Sequence, residues 1–338
     1  MNRRFVSGVI AGLMLIAASC GGDDDSGDAT VAASDPPVAE SDAATDTADE
    51  TEPIDSGDTT ATAGTADETA SAEEFPFPTA IVSLSPTATE MLYAIGAGDQ
   101  VIAVDDFSNY PEEAAAKMNG ISGFEPNIEA IAGLEPDLVV TDGTNAELLA
   151  RLDTLEIPHW EGPAAVEFED VYRQLDELGE ITGHVAEAEQ VVGSMQSEIA
   201  AVLDELPELP EPLTYYHELD PNGFWSVTSD TFIGLVYSEA GLVNIADEVG
   251  EGNPYPQLSA EFIVSADPDL IFLACTKYCG ETLETVGARD GWGALSAVVN
   301  GNVIEMDDDV ASRWGPRIVD YIVQVGDAVE HAAAVATS

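Results

Sequence analysis

From Phe75 onward, short β-rich runs alternate with segments of helical apolar spacing. AIVSL (80–84) reads as a buried strand, and SPTATEMLYAIGA (85–97) reads as the helix that follows it. Ser85 suits the N-cap, Pro86 the first helical position, and Gly96 and Gly98 the stop. VIAV (101–104), DLVVT (137–141) and the run around Ile157 are further strands. This β–α alternation predicts an α/β fold with parallel sheet covered by helices on both faces. GHVAEAEQVVGSMQSEIAAVLDEL (183–206) carries apolar residues at helical spacing and predicts a helix of about 24 residues, roughly 36 Å long. PELPEP (207–212) ends it.

A weak internal repeat flanks that helix. NIEAIAGLEPDLVV (127–140) aligns with SAEFIVSADPDLIF (259–272), so that Glu129 matches Glu261 and Pro136-Asp137-Leu138 matches Pro268-Asp269-Leu270. The repeat predicts two related α/β lobes with the long helix running from one to the other.

The amino terminus follows different rules. Arg3 and Arg4 precede a short apolar run (5–16), and Ala17, Ala18 and Ser19 lead into Cys20. The pattern resembles a bacterial lipobox, with 1–19 removed as a leader and Cys20 carrying the lipid. The arginine pair leaves twin-arginine export open beside the general secretory route. No second apolar run approaches spanning length, so the lipid is the only expected anchor. Residues 21–74 hold 17 acidic residues, no Lys or Arg, and no aromatics. Such a segment cannot bury enough surface to offset ordering entropy, and its like charges extend it. Residues 20–74 are therefore expected to be a tether.

Charge narrows the function. With 65 Asp plus Glu against 9 Lys plus Arg, the net charge is −56, and nucleic acid is excluded as a partner. Paired carboxylates are so abundant that no pair is informative as an acid–base dyad. There is no G-x-S-x-G and no P-loop. The four histidines, His159, His184, His217 and His331, share no metal-ligand spacing, and no catalytic, cofactor or metal site is expected. His159 and His217 at strand ends leave a two-lobe metal site as the weaker alternative. Cys275 and Cys279 lie in LACTKYCGE after the strand DLIFL. Residues four apart on a turn fall within bridging distance, so an export disulfide is expected, with free thiols or a soft-metal site as alternatives.

From Ile81 onward the chain becomes recognisable. IVSLSPTATEMLYAIGAGDQVIAV, FSNYP, NIEAIAGLEPDLVV, YPQLSAEFIVSADPDLIF and GPRIVD follow one another in that order. Together they resemble the helical-backbone class of ABC-importer substrate-binding proteins, most closely its vitamin B12- and ferric-siderophore-binding branch. The resemblance implies the class III periplasmic-binding-protein fold: lobes over 75–182 and 207–338, an interlobe helix over 183–206, and a ligand cleft between the lobes. It places Phe107, Tyr110, Phe124, Tyr255, Arg313 and Trp314 at the ligand, with Trp225 or Phe224 as the second-lobe aromatic. A further pocket tryptophan of the B12-binding branch stands here as Asp142. The resemblance also implies that Glu129 and Glu261 dock onto permease arginines, although both fit equally as helix-start carboxylates.

The expected function is thus a lipid-anchored, extracytoplasmic, monomeric binding protein that hands a metal chelate to an ABC permease and its ATPase. The folded part holds only seven cations, Lys117, Arg151, Arg173, Lys277, Arg289, Arg313 and Arg317. Anionic catecholate chelates usually need a cluster of them, so a neutral corrinoid leads, followed by a ferric hydroxamate and then haem. An enzyme handling chelates and a tethered sensor are the readings from other classes.

Overall fold

The computed structural model describes residues 77–336. The expected leader, the lipid-bearing Cys20 and the acidic tether lie outside the described residues.

The first lobe runs β1 (Ile81–Ser83), α1 (Pro86–Ala94), β2 (Val101–Asp105), α2 (Glu112–Ala115), β3 (Met118–Ile121), α3 (Ile128–Ala132), β4 (Leu138–Thr141), α4 (Ala146–Thr154), β5 (His159–Glu161) and α5 (Phe168–Thr182). Its five strands pair in the order β3-β2-β1-β4-β5, all parallel. Next comes α6 (Val185–Glu205). The second lobe runs β6 (Thr214–Glu218), α7 (Phe232–Glu239), β7 (Val243–Asn244), α8 (Asp247–Gly250), α9 (Ala260–Ala266) and β8 (Leu270–Leu273). It continues through α10 (Leu283–Gly287), α11 (Ser296–Val299), β9 (Val303–Glu305), α12 (Asp308–Ala311) and α13 (Ile318–Ala336). Its sheet, β7-β6-β8-β9, is again wholly parallel. Among the described residues no helix is long and apolar enough to cross a membrane.

Local signals act as expected at several ends. Ser85 Oγ accepts from the Ala88 amide and Pro86 opens α1. Gly96 takes a left-handed conformation (φ 85°) just past that helix, which a residue without Cβ does at little cost. The interlobe helix is shorter than expected: it starts at Val185, not 183, and has 21 residues. Gly183 (φ 81°) ends α5 instead, and His184 stands at the junction of the two helices. Strand β5 begins at His159, so Ile157 precedes it and His159 opens the strand that it was expected to end.

The repeat has a structural meaning. Asp137 takes the Thr79 amide (2.8 Å) and hydroxyl on its carboxylate, tying the entry of β1 to that of β4. Asp269 does the same for Thr214, at 2.8 Å to both groups, tying β6 to β8. The Pro-Asp-Leu triplet is the same clamp in each lobe.

A single apolar cluster crosses from lobe to lobe. It includes Met91 and Val140 of the first sheet's layer, Leu178 of α5, Met195 of α6, Phe272 of β8 and Ile322 of α13. Helix α6 makes the covalent crossing, but α5 and α13 pack along it. The lobes therefore share a helical layer in place of one isolated strut.

Candidate functional site

The cleft lies off the carboxyl ends of the parallel strands, where open α/β sheets hold ligands. A compartment of about 270 Å³ in the first lobe is bordered by Leu84 after β1, Asp105 ending β2, Thr141 ending β4, Phe107, Phe124 and Asp142. Phe107 and Asp142 also border an interlobe compartment of about 370 Å³, across from Tyr278, Arg313 and Trp314. Arg313 and Trp314 border a third of about 220 Å³ with Leu219, Phe232 and Tyr255. The shared walls make the three one continuous cleft.

The aromatic wall of the first lobe is built by a turn. Asp105 Oδ1 accepts from the amides of Phe107 (2.7 Å) and Ser108 (2.8 Å), which aims the Phe107 ring. That ring meets Phe124 edge to face, with centroids 4.9 Å apart. Gly123 allows the approach, because a Cβ there would come within 3.3 Å of the Phe107 ring. Phe124 is 77% exposed and Tyr255 52% exposed, both on polar loops and outside the apolar core clusters. Burial pushes the Asp105 carboxyl up, and the two amide hydrogen bonds pull it back only partly.

Arg313 plays a different part from the expected ligand contact. Its guanidinium donates to Glu90 Oε1 (2.7 Å), Asn109 Oδ1 (3.0 Å), the Phe107 carbonyl (3.0 Å) and Asp309 Oδ1 (3.0 Å). The first three belong to the other lobe, so Arg313 is a strut across the cleft floor. Asp309 also accepts from Asn109 (2.9 Å) and Lys277 (2.7 Å). Burial works to raise its carboxyl, but Lys277, Asn109 and Arg313 outweigh burial and hold it below the ordinary value. Trp314 donates its indole N–H to Gln174 Oε1 (3.2 Å), and Gln174 in turn donates to the Pro163 carbonyl (2.7 Å).

Two expected contacts fall elsewhere. Tyr110 borders a separate groove against α6, where the Arg317 guanidinium lies 4.1 Å from its ring centroid. The chain turns between Phe107 and Tyr110, so the two rings face different sides of the lobe junction. Trp225 borders none of the three cleft compartments. It forms bridges to Asp220 and Gln257, while Phe224 beside it stacks on Trp292, centroids 5.4 Å apart. Phe224 ends a turn with a left-handed backbone (φ 51°), and it too borders none of the three compartments.

Glu129 and Glu261 stand one position inside α3 and α9, whose N-caps are Asn127 and Ser259. Both are exposed, and among the described residues neither pairs with a cation. Cys275 and Cys279 are joined by a disulfide with Cα atoms 5.1 Å apart. His217 lies within β6, fully buried, with Nδ1 2.8 Å from the Tyr237 hydroxyl. Burial depresses its imidazole to about 3, so it is neutral at ordinary pH. Among the described residues no three His, Cys, Asp or Glu side chains are grouped to hold a metal.

Sequence reasoning passed over Glu90, Asp309, Lys277 and Tyr278. Glu90 had a signal: it is the one charge in the apolar helix SPTATEMLYAIGA. Lys277 and Tyr278 lie between the two cysteines that drew attention to their loop, and Asp309 stands four residues before Arg313, but the contacts that join Lys277 and Tyr278 to Asp309 span 32 and 31 residues.

Residues 81–310 match the periplasmic binding protein family. The chain belongs to the periplasmic binding protein family. It is 30% identical over 259 residues to a cobalamin-binding protein of Halobacterium salinarum, covering 74% of this chain and 69% of that one. It is 28% identical to the ABC transporter substrate-binding lipoprotein YvrC of Bacillus subtilis, covering 75% and 80% of the two chains. The crystal structure of the periplasmic vitamin B12-binding protein BtuF of Vibrio cholerae superposes with a TM-score of 0.65 at 26% identity, covering 76% of this chain and 99% of that one. These matches agree with the α/β architecture of parallel sheets described above.

Proposed function

We propose that this periplasmic binding protein captures a neutral metal chelate, a corrinoid first, outside the cytoplasm and delivers it to an ABC importer. One observation carries the ligand class: the cations at the cleft are already spent. Arg313 is committed to Glu90 and Asp309, and Lys277 to Asp309. Asp105 and Asp142 face the same space. An anionic chelate would meet net negative charge without a free guanidinium or ammonium, whereas a neutral one meets aromatic walls. The relatives named for cobalamin and vitamin B12 support the same choice. Ferric hydroxamates are the second reading, since they too can be neutral.

Titrating the purified protein with cyanocobalamin, ferrichrome and haemin tests this. Cyanocobalamin is expected to bind most tightly. Preference for ferrichrome would move the ligand to the hydroxamates, and preference for haemin would overturn the charge argument. No covalent step is involved, and release requires only that docking favour a lower-affinity state. We further propose that Cys20 carries a lipid, that this is the only anchor, and that the protein acts as a monomer beside its permease and ATPase. Cys20→Ala is expected to leave the membrane fraction, and full retention of that variant would remove the lipid from this account.

A further inference from the structure

The turn after β8 is held twice. The Cys275–Cys279 bridge closes it covalently. Asp308, at the start of α12, fills it: Oδ1 accepts from the Thr276 (2.8 Å) and Lys277 (3.0 Å) amides, and Oδ2 from the Tyr278 amide (3.0 Å). On this fixed turn Tyr278 is 65% exposed, although its hydroxyl donates to Asp309 Oδ1 at 3.2 Å. Its ring borders the interlobe compartment, across from Phe107 and Asp142. Lys277 Nζ lies 5.1 Å from the ring centroid and is itself paired with Asp309 at 2.7 Å.

A large ring exposed to water contributes nothing to the core. Pinned through its backbone and its hydroxyl, it loses little freedom when something covers it. That is how a rigid aromatic contact gains affinity at low entropic cost. We infer that Tyr278 is a ligand-contact residue, the second lobe's ring against the interlobe part of the bound chelate, held in place by the Cys275–Cys279 bridge and Asp308. The inference rests on the binding reading above. It also says which flank of the ligand the turn accepts. Lys277 has spent its charge on Asp309, so the turn offers a ring and a neutral surface, and it selects an uncharged flank over one bearing carboxylates.

The test titrates wild type, Tyr278→Ala, Tyr278→Phe, Phe124→Ala and the Cys275→Ser/Cys279→Ser pair, alone and combined with Tyr278→Ala. The probes are cyanocobalamin, ferrichrome and haemin, and melting temperatures are recorded alongside. Tyr278→Ala is expected to weaken the best-bound probe about tenfold or more, as loss of an aromatic anchor does, with little change in melting temperature. Tyr278→Phe keeps the ring and is expected to stay within about threefold, the size of one exposed hydrogen bond. Removing the bridge is expected to weaken binding less than Tyr278→Ala, and to add nothing once Tyr278 is gone. Wild-type affinity in Tyr278→Ala, with Phe124→Ala weakened, would overturn the inference and leave the binding reading intact. Additive loss from the bridge would detach the bridge from the ring. Failure of wild type to bind any probe would overturn both readings together.

Discussion

Glu90 of the first lobe and Arg313 of the second meet in a 2.7 Å ion pair with both side chains buried. Glu90 also accepts from Arg317 Nε at 2.8 Å, so one carboxylate in an apolar helix answers two guanidinium groups from the facing lobe. Desolvating these charges costs several kcal/mol, which their geometry must offset. What the arrangement fixes is orientation: it ties α1 to the segment entering α13, directly beneath the ligand cleft. The two lobes are thereby held at a set distance before any ligand arrives.

Removing that carboxylate should therefore be severe. Glu90→Gln leaves the buried Arg313 and the half-buried Arg317 guanidinium groups without their shared charge and is expected to cost about 3 kcal/mol. A double-mutant cycle with Arg313→Met should recover part of it, because the second change removes one stranded cation. Calorimetric melting reads the first effect. Small-angle scattering should show the lobes further apart or more variable in Glu90→Gln. An unchanged melting temperature would mean that the pair carries no constraint.

His217 sets a pH limit on the second lobe. Its imidazole is depressed to about 3 in the folded protein by burial, against an ordinary value of about 6.5. The unfolded chain takes up a proton below about 6.5 and the folded chain does not. Stability is fully present above that value and is lost as pH falls toward 3. At pH 5 the loss should be roughly 2 kcal/mol relative to pH 7. His217→Phe fills the site with an apolar ring and leaves the Tyr237 hydroxyl bonded to Tyr321. Denaturant midpoints between pH 5 and 7 should therefore flatten in that variant. An equal slope in both proteins would place the titrating group elsewhere.

Much of this was readable along the chain, and the limits have physical causes. The strands and caps were legible because alternating apolar runs and Ser85, Asn127 and Ser259 act locally. The two lobes were legible because Asp137 and Asp269 repeat one clamp in one motif. Phe107, Phe124 and Tyr255 stood out as rings on polar loops, and all three border the cleft. Tyr110 and Trp225 were also expected at the ligand and do not border it, since which way a loop ring turns is decided by its tertiary neighbours. Arg313 was placed at the cleft, but its three first-lobe acceptors were invisible, because Glu90, Asn109 and Phe107 lie 223, 204 and 206 residues away.

The Phe107–Phe124 pair should be measurable as a coupling. Phe124→Ala removes a ring that is 77% exposed, so stability should hardly change while chelate affinity falls by about 1–3 kcal/mol. Phe107→Ala should act similarly, and the two together should cost less than their sum by about 1 kcal/mol, since each ring orients the other. Binding titrations on the two single variants and the double variant give the cycle. Strict additivity would show that the edge-to-face contact has no part in shaping the wall.

Glu129 and Glu261 separate delivery from capture. Each occupies the second position of a short helix whose N-cap is already satisfied, by Asn127 Oδ1 or Ser259 Oγ. As helix-start carboxylates they would contribute about 0.3–1 kcal/mol apiece through the dipole. Both are exposed and neither finds a cation within the described chain, which leaves their charge free for a partner. If they dock the lobes onto permease arginines, changing both to Ala should leave affinity for the free ligand intact while uptake falls. The loss should diminish at high salt, because screening already weakens exposed charge pairs there in the wild type. The capping role alone gives a different result: a melting temperature lowered slightly and transport unchanged. Uptake into cells or vesicles carrying the importer, measured on the double variant with melting and ligand titration alongside, distinguishes the two. Full uptake would leave these glutamates as caps, and reduced uptake with wild-type affinity would give each lobe its own contact on the transporter.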